Sequence, residues 1–397
     1  MSHILHLSAD YPDPLAPAKT HAVSNLLAMV PEHTHRVISM NRTHWRTAPT
    51  ALTFKDAAGD GHRALVYGAP SKGIMHRRFL ARVTEWIAAD CEESGFRPDV
   101  VHAHKLTVEA FCAEALAARW GAKLAVSIQG NTDQKIASAR RDLRKPLNHI
   151  WQAADVAFPF APWAFQKMND LMGVRSGPTF ALPCPTGGDT ILSPEIAPPV
   201  VLIACNLKDH ANKNVVALID AVGALGAEIP EIRLDILGGG DPAAYASLEA
   251  HARRAAPGRV RFLGAVPHAE IQGLFHGAAA FAMVSHRESY GMVFAEALMA
   301  GAPCLIPVER GIHGYFEDGG VVLAADPNDA ASILSGVRRL VLEQADFKAR
   351  LTRLGADGGL KFMQRDQIAA TYRHGIAVAL GEAAAEPPSG AGIVRLA

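Results

Sequence analysis

Two glutamates, Glu288 and Glu296, flank Gly291 with seven residues between them in the run SHRESYGMVFAEALMAGAP, Ser285 to Pro303. An ionised carboxylate only accepts hydrogen bonds and can take two donors at once, which suits the vicinal hydroxyls of a sugar. For either glutamate alone a solvated side chain is the ordinary reading. The pair stands out because it brackets a glycine where loop gives way to helix. Ser289 and Tyr290 lie in that loop, and the backbone N–H groups of Gly291, Met292 and Val293 fall at the helix N-terminus. Orphan donors and the helix dipole both favour an anion there. A phosphate on backbone donors with a carboxylate on either side describes a nucleotide-sugar pocket.

The elements that must hold these groups follow from the apolar pattern. Ala280 to Val284 reads as a short buried strand, Ser285 to Gly291 as the loop at its carboxyl end, and Met292 to Ala300 as a helix stopped by Gly301 with Pro303 beyond. Upstream, Val200 to Cys205 is a continuous apolar strand of the kind covered on both faces. It is followed by the loop NLKDHANKN and a helix from about Val215 to Leu225. Ile232 to Leu237 runs into Gly238-Gly239-Gly240-Asp241-Pro242-Ala243, a literal G-x-G-x-x-A. A dinucleotide fingerprint also needs an acid at the end of the next strand, and Val260 to Leu263 ends in Gly264-Ala265 instead. A tight strand-to-helix turn accounts for these glycines without NAD.

The first half of the chain alternates in the same way. Ile4 to Leu7 is an opening strand, and a proline-rich loop leads to a helix from about Thr20 to Met29 with Lys19 and Thr20 at its start. Ligands gather at the carboxyl ends of strands in open α/β sheets, so this loop is expected to face the ligand and Lys19 is a candidate for a phosphate. Arg36 to Met40 and Leu65 to Tyr67 read as further strands. PDVVHAH, Pro98 to His104, is a strand that places His102 and His104 on one face, and no third metal ligand lies near them in sequence. The strand Lys123 to Ile128 ends in Gln129-Gly130, and Asp155 to Phe160 is another strand. Leu182 to Val200 is dense in proline and glycine, which marks a domain boundary. The expected division is a first domain over 1–183, a linker over 184–199 and a second domain over 200–365. A helix over 366–381 follows, then an Ala-, Pro- and Gly-rich tail, 382–397, expected to be disordered.

Composition narrows the function classes. With 39 basic and 39 acidic residues among 397, the chain carries no net charge, so nucleic acid is excluded as the main partner. No apolar run approaches the roughly 20 residues that span a bilayer. The opening MSHILHLSAD lacks the make-up of a signal peptide. Five scattered cysteines suggest reduced thiols and a cytoplasmic home. Two basic amphipathic stretches, with Arg77, Arg78 and Arg82 and with Arg140, Arg141, Arg144 and Lys145, leave a peripheral contact with the inner face of the membrane open.

The Glu288-to-Glu296 spacing is similar to the Glu-x7-Glu signature of the retaining glycosyltransferases of GT-B fold, the family 4-like or group 1 enzymes. The resemblance extends from Ile4 to about Leu380 and is strongest between Val200 and Gly319. It implies an α/β protein of two doubly wound Rossmann-like domains facing across a cleft, with the last helix crossing back to the first domain. In the family an Arg and a Lys five residues on reach the donor diphosphate. Lys208 and Lys213 keep that spacing, and a second match puts Asn206 at the first position. Gly264 and Val266 fall in the segment whose backbone contacts the nucleotide base. Two departures stand out: the first loop lacks the family's glycine pair, and Gln129 replaces the histidine that lies beside the transferred sugar. An amide can bind a hydroxyl but cannot act as a base.

The resemblance implies transfer of a sugar from a UDP- or GDP-sugar to an acceptor hydroxyl, with retention, in polysaccharide or glycoconjugate synthesis. Glu296 would hold the ribose, Glu288 the transferred sugar, and Lys208, Lys213 and the Gly291–Val293 amides the departing diphosphate. Lys19, Thr20, Gln129 and Gly130 would face from the acceptor side, where a sugar or lipid-linked glycan is expected. No D-x-D motif occurs, so neither a metal nor another cofactor is implied. An epimerase or hydrolase of the same fold, and a non-catalytic nucleotide-sugar-binding subunit, remain as alternatives.

Overall fold

Parallel strands joined by helices must bury both sheet faces, and the apolar runs of this chain do so twice. A computed structural model describes residues 1–70, 74–387 and 394–396. The chain divides into two units, one formed by 1–185 with 365–397 and the other by 186–364.

The first unit is built on β1 (His3–Ser8), β2 (Thr34–Thr43), β3 (Thr50–Asp56), β4 (Gly59–Gly68), β5 (Val100–Ala103), β6 (Lys123–Ile128) and β7 (Val156–Pro159). They form one sheet in the order β3-β4-β2-β1-β5-β6-β7. All neighbours are parallel except β3 and β4, an antiparallel pair at the edge. Sequence reading finds no strand at β3. Its side chains are mostly exposed, so ALTFKD carries no buried apolar run to betray it. The first helix is Ala22–Ala28, shorter than the expected Thr20-to-Met29 span. The last helix, Arg365–Leu380, belongs to this unit and buries Ile368, Tyr372 and Ile376 against Val156 and Phe158. Of the tail, 388–393 and 397 lie outside the described residues. Residues 394–396 lie against the first unit: Ala181 donates to the Val394 carbonyl at 2.8 Å and Leu396 to that of Thr179 at 2.9 Å.

The second unit holds β8 (Val200–Ala204), β9 (Arg233–Leu237), β10 (Val260–Gly264), β11 (Ala280–Ala282), β12 (Cys304–Pro307) and β13 (Val322–Ala325). They pair in parallel in the order β10-β9-β8-β11-β12-β13. Both sheets are doubly wound. In the first the chain moves outward to either side of β1 and β5, and in the second to either side of β8 and β11. At such a reversal the connecting helices diverge and leave a crevice outside the strand ends.

The two basic stretches are helices of the first unit, His76–Glu93 and Arg141–Ala153. Their apolar faces (Leu80, Val83 and Ile87; Leu143, Leu147 and Ile150) are buried in the protein, so neither is free to lie in a lipid surface. Among the described residues no helix is long and apolar enough to cross a membrane.

The exits of β8 and β9 are locked together by one glycine. Gly238 has φ +127°, and a Cβ there would lie 1.7 Å from the Cys205 carbonyl oxygen. Its N–H donates to Gly264 at 2.8 Å, and Leu207 donates to the Gly239 carbonyl at 3.1 Å. Gly238→Ala combines a disfavoured backbone with a backbone clash, so it should cost at least about 3 kcal/mol. Urea unfolding of the two proteins measures this directly. A cost below about 0.5 kcal/mol, typical of a neutral surface change, would remove the packing role assigned to the turn.

Candidate functional site

In the second unit the predicted groups converge on the crevice between β8 and β11. The loop after β8 begins with Asn206, whose Oδ1 accepts from the Lys208 N–H at 3.0 Å and starts a short 3-10 turn. Asn212 ties this loop to the one after β11. It donates to Asp209 Oδ2 and to the Arg287 carbonyl, both at 3.1 Å, and its own carbonyl accepts from His286 N–H at 2.8 Å. Stitched in this way, Lys213 Nζ meets Glu288 Oε2 at 2.6 Å, with both side chains mostly buried. Lys208 is exposed, and its side chain is not drawn into this pair.

The helix that follows is Met292–Met299, opened by Gly291 at φ 71° with no side-chain cap. Ser289, Gly291, Met292 and Val293 are partly accessible, while Tyr290 is buried. Glu296 lies on this helix. Its Oε1 accepts from the Gly187 N–H at 3.4 Å and sits 3.3 Å from His268 Nε2. The helix after the glycine turn, Pro242–Ala255, differs. Asp241 Oδ1 accepts from Ala243 and Ala244 at 2.9 and 3.2 Å, so its N-terminus is already capped by a carboxylate. A pyrophosphate at this helix would have to displace that carboxylate. Gly264 (φ 70°) and Val266 lie at the partly exposed exit of β10.

Residues 197–356 match the family described as glycosyl transferases group 1. The match covers most of the second unit. Over 90 residues, 23% of this chain and 22% of the relative, the chain is 31% identical to a glycogen synthase of Mycobacterium tuberculosis. The chain thus spans under a quarter of the length of that curated relative. The likeness of fold is far longer. Sucrose-phosphate synthase from Thermosynechococcus elongatus superposes with a TM-score of 0.67 at 17% identity, covering 94% of this chain and 97% of that one. Anabaena HepE, solved in complex with UDP, gives 0.65 at 13% identity, covering 95% and 100%. The fold is GT-B.

The first unit places its predicted residues less simply. Lys19 Nζ is held by Asp13 Oδ2 at 3.1 Å and Ser39 Oγ at 2.9 Å, so its charge is met within the unit. Asp13 is pulled below the usual carboxylate range: burial opposes ionisation, but hydrogen bonds from Ser39, Asn41 and Lys19 outweigh it. Thr20 Oγ1 accepts from Ala22 N–H at 3.3 Å at the helix start. Gln129 is buried and donates its N–H to Asp133 Oδ2 at 3.1 Å, while Gly130, at φ 112°, opens the helix Asn131–Ala139.

Sequence reading misses the groups that fill the β1–β5 crevice. Lys105 Nζ bonds Asp10 Oδ2 at 2.5 Å, joining the ends of the two strands. Glu109 is fully buried. Its Oε1 accepts from Ala9 N–H at 2.6 Å, and its Oε2 meets no donor among the described residues. Burial foremost, with Asp10 and Asp133 nearby, pushes its carboxyl up to about 8 against the pull of Lys105. Burial likewise raises Asp133, which accepts from Thr107 N–H and Oγ1 at 2.9 and 2.8 Å.

A second miss concerns the histidines. His102 and His104 do have a third partner, His6 on the adjacent β1, and one ring nitrogen from each lies within 4.8 Å of the others. All of these nitrogens but His104 Nδ1 are engaged with one another or with neighbours: His6 Nδ1 with His104 Nε2 at 3.1 Å, His6 Nε2 with His35 Nδ1 at 2.9 Å, His102 Nε2 with Ser127 Oγ at 2.8 Å and His102 Nδ1 with Tyr372 OH at 3.1 Å. A cation would have to break this network to bind. The only sequence signal for it would have been a histidine at the same register on the neighbouring strand.

These burials set a pH dependence with a determined sign. Burial holds His35 near 4 and His104 near 3, and holds His6 and His102 well below 6.5. The unfolded chain therefore binds more protons than the folded one below pH 6.5, and stability falls as pH drops through that window. Glu109 acts in the opposite sense. Its folded value near 8 exceeds the ordinary 4.5, so its contribution is lost as pH rises through 8. The stability of the first unit should peak near pH 6.5, with His35 alone worth roughly 3 kcal/mol between pH 7 and pH 4. Chemical denaturation across pH 4 to 9 checks this. A curve that is flat between pH 4 and 6.5 would contradict the neutral histidines.

Proposed function

We propose that the chain is a retaining, metal-independent glycosyltransferase that moves a sugar from a nucleoside diphosphate donor to an acceptor hydroxyl. The observation that carries this reading is the Lys213–Glu288 pair across the β8–β11 crevice, beside an uncapped helix N-terminus with Glu296 on the same helix. A diphosphate entering there would draw Lys213 away from Glu288 and take the amides of Met292 and Val293, with Lys208 as a second, mobile cation. The freed Glu288 carboxylate would accept hydroxyls of the transferred sugar and favour the positive charge that grows on its ring as the bond breaks. Glu296 would accept the two ribose hydroxyls, exchanging its weak contact with Gly187 for them. Gly264 and Val266 would line the base.

The first unit would bind the acceptor at its own crevice. Gln129 cannot take the acceptor's proton, so the departing phosphate oxygen is the base that the reaction itself supplies. Uracil is the base we favour, since HepE was solved with UDP and a similar structure is described as a UDP-forming trehalose-phosphate synthase. A sugar or glycan acceptor in polysaccharide or glycoconjugate synthesis, at a cytoplasmic location, is part of the same reading. A lipid-linked acceptor is less favoured, because the apolar faces of both basic helices are already buried.

Calorimetry with UDP, GDP, ADP and NAD on the purified chain tests the pocket. UDP should bind in the micromolar range, and Glu296→Ala should weaken it about tenfold, or about 1.4 kcal/mol. Glu288→Gln should leave UDP affinity within about threefold while lowering turnover of a UDP-sugar by about a hundredfold or more. If no nucleoside diphosphate binds, or Glu296→Ala changes nothing, the donor assignment is wrong. Binding that survives with no turnover on any acceptor would instead indicate a non-catalytic binding subunit.

A further inference from the structure

One backbone carbonyl decides where three buried protons sit. Val30 O can only accept, and His35 Nε2 lies 3.0 Å from it, so that nitrogen carries the hydrogen. A neutral imidazole has one N–H, and burial keeps His35 neutral. Its Nδ1 is therefore bare and must accept from His6 Nε2 at 2.9 Å. His6 Nδ1 is bare in turn and accepts from His104 Nε2 at 3.1 Å. The chain of bonds thus leaves His104 with a proton on Nε2 and a lone pair on Nδ1.

His104 follows β5 at the reversal point of the first sheet. Its ring lines a cavity whose other walls include Ala22, Val23, Leu26, Phe160 and Leu182. There is room beside the ring for about one water-sized group. His104 is 1% exposed, and among the described residues no donor reaches its Nδ1. Pro183, Cys184 and Pro185 complete the lining, and a largely apolar cavity beside an accepting ring nitrogen suits a group that brings its own proton on a carbon framework. Phosphate, ether and carbonyl oxygens would set lone pair against lone pair.

We propose that His104 Nδ1 is a specificity-determining acceptor for a carbon-borne hydroxyl, such as a hydroxymethyl group, on the ligand of the first unit. His6 and His35 are positioning residues that fix its tautomer. That this ligand is the sugar acceptor rests on the function proposed above; the tautomer and the hydroxyl preference do not.

The test uses the full chain labelled with nitrogen-15 and long-range proton–nitrogen correlation of the histidine rings. His6, His35 and His104 should all appear as Nε2–H tautomers. Glycerol, the hydroxymethyl probe, should shift His104 Nδ1 saturably, and dimethoxyethane, which has no proton to give, should not. A proton on His104 Nδ1, no response to glycerol, or an equal response to dimethoxyethane overturns the proposal. So does zinc binding that shifts His6, His102 and His104 together. His35→Gln can still donate to Val30 and accept from His6, so it should preserve the glycerol response. His35→Leu should release the tautomer and weaken glycerol binding about tenfold. Should His35→Leu fail to fold, the wild-type and His35→Gln spectra still decide. UDP calorimetry on the same sample separates the two readings: UDP binding without a glycerol response removes only this inference, and the reverse removes only the donor site.

Discussion

In each sheet the chain reverses direction beside its central strand, and in each the gap is spanned by one lysine and one carboxylate. Lys213–Glu288 joins the ends of β8 and β11, and Lys105–Asp10 joins those of β1 and β5. The constraint is topological before it is chemical. Helices on either side diverge at a reversal point, so nothing in the backbone covers the strand ends. Side chains must fill the crevice, and polar ones can stay there only if they are paired. A pair that closes the crevice without ligand is also one that a ligand can open, the cation going to an anion and the carboxylate to hydroxyls.

The neighbourhood of each pair follows from this. In the second unit, Gly238 lets the β9 exit pass against Cys205, which brings the loop holding Lys213 to a fixed place. Asn212 then ties that loop to the one carrying Glu288. Gly291 turns the chain into a helix whose first amides no side chain caps. Each step is a backbone requirement, and together they place a cation, an anion and a row of donors at one strand edge.

That edge was legible in the sequence because its parts are contiguous: strand, loop, glycine and helix follow one another between Ala280 and Met299. The crevice of the first unit was not, because its partners come from different strands. Asp10 and Lys105, or His6 and His104, lie almost a hundred positions apart and meet only through the register of β1 with β5. The partners of Lys19 were hidden for the same reason. It stands in a loop where a phosphate is reasonable, and the structure pairs it with Ser39 on β2 and with Asp13. The edge strand β3 left no apolar run to detect, while the buried strands around it were plain.

The two crevices differ in the charge they can accept. The second unit sets a lysine and bare helix amides at its strand ends, a field that welcomes a diphosphate. The first unit gathers Asp10, Glu109 and Asp133 around a single lysine, with neutral histidines behind them. Two buried carboxylates and a partly exposed Asp10 against one cation cannot all stay ionised at low cost, and Glu109, with its carboxyl near 8, is the one that keeps its proton. A second phosphate would meet acids there, whereas a neutral hydroxyl-bearing molecule would meet acceptors and one donor.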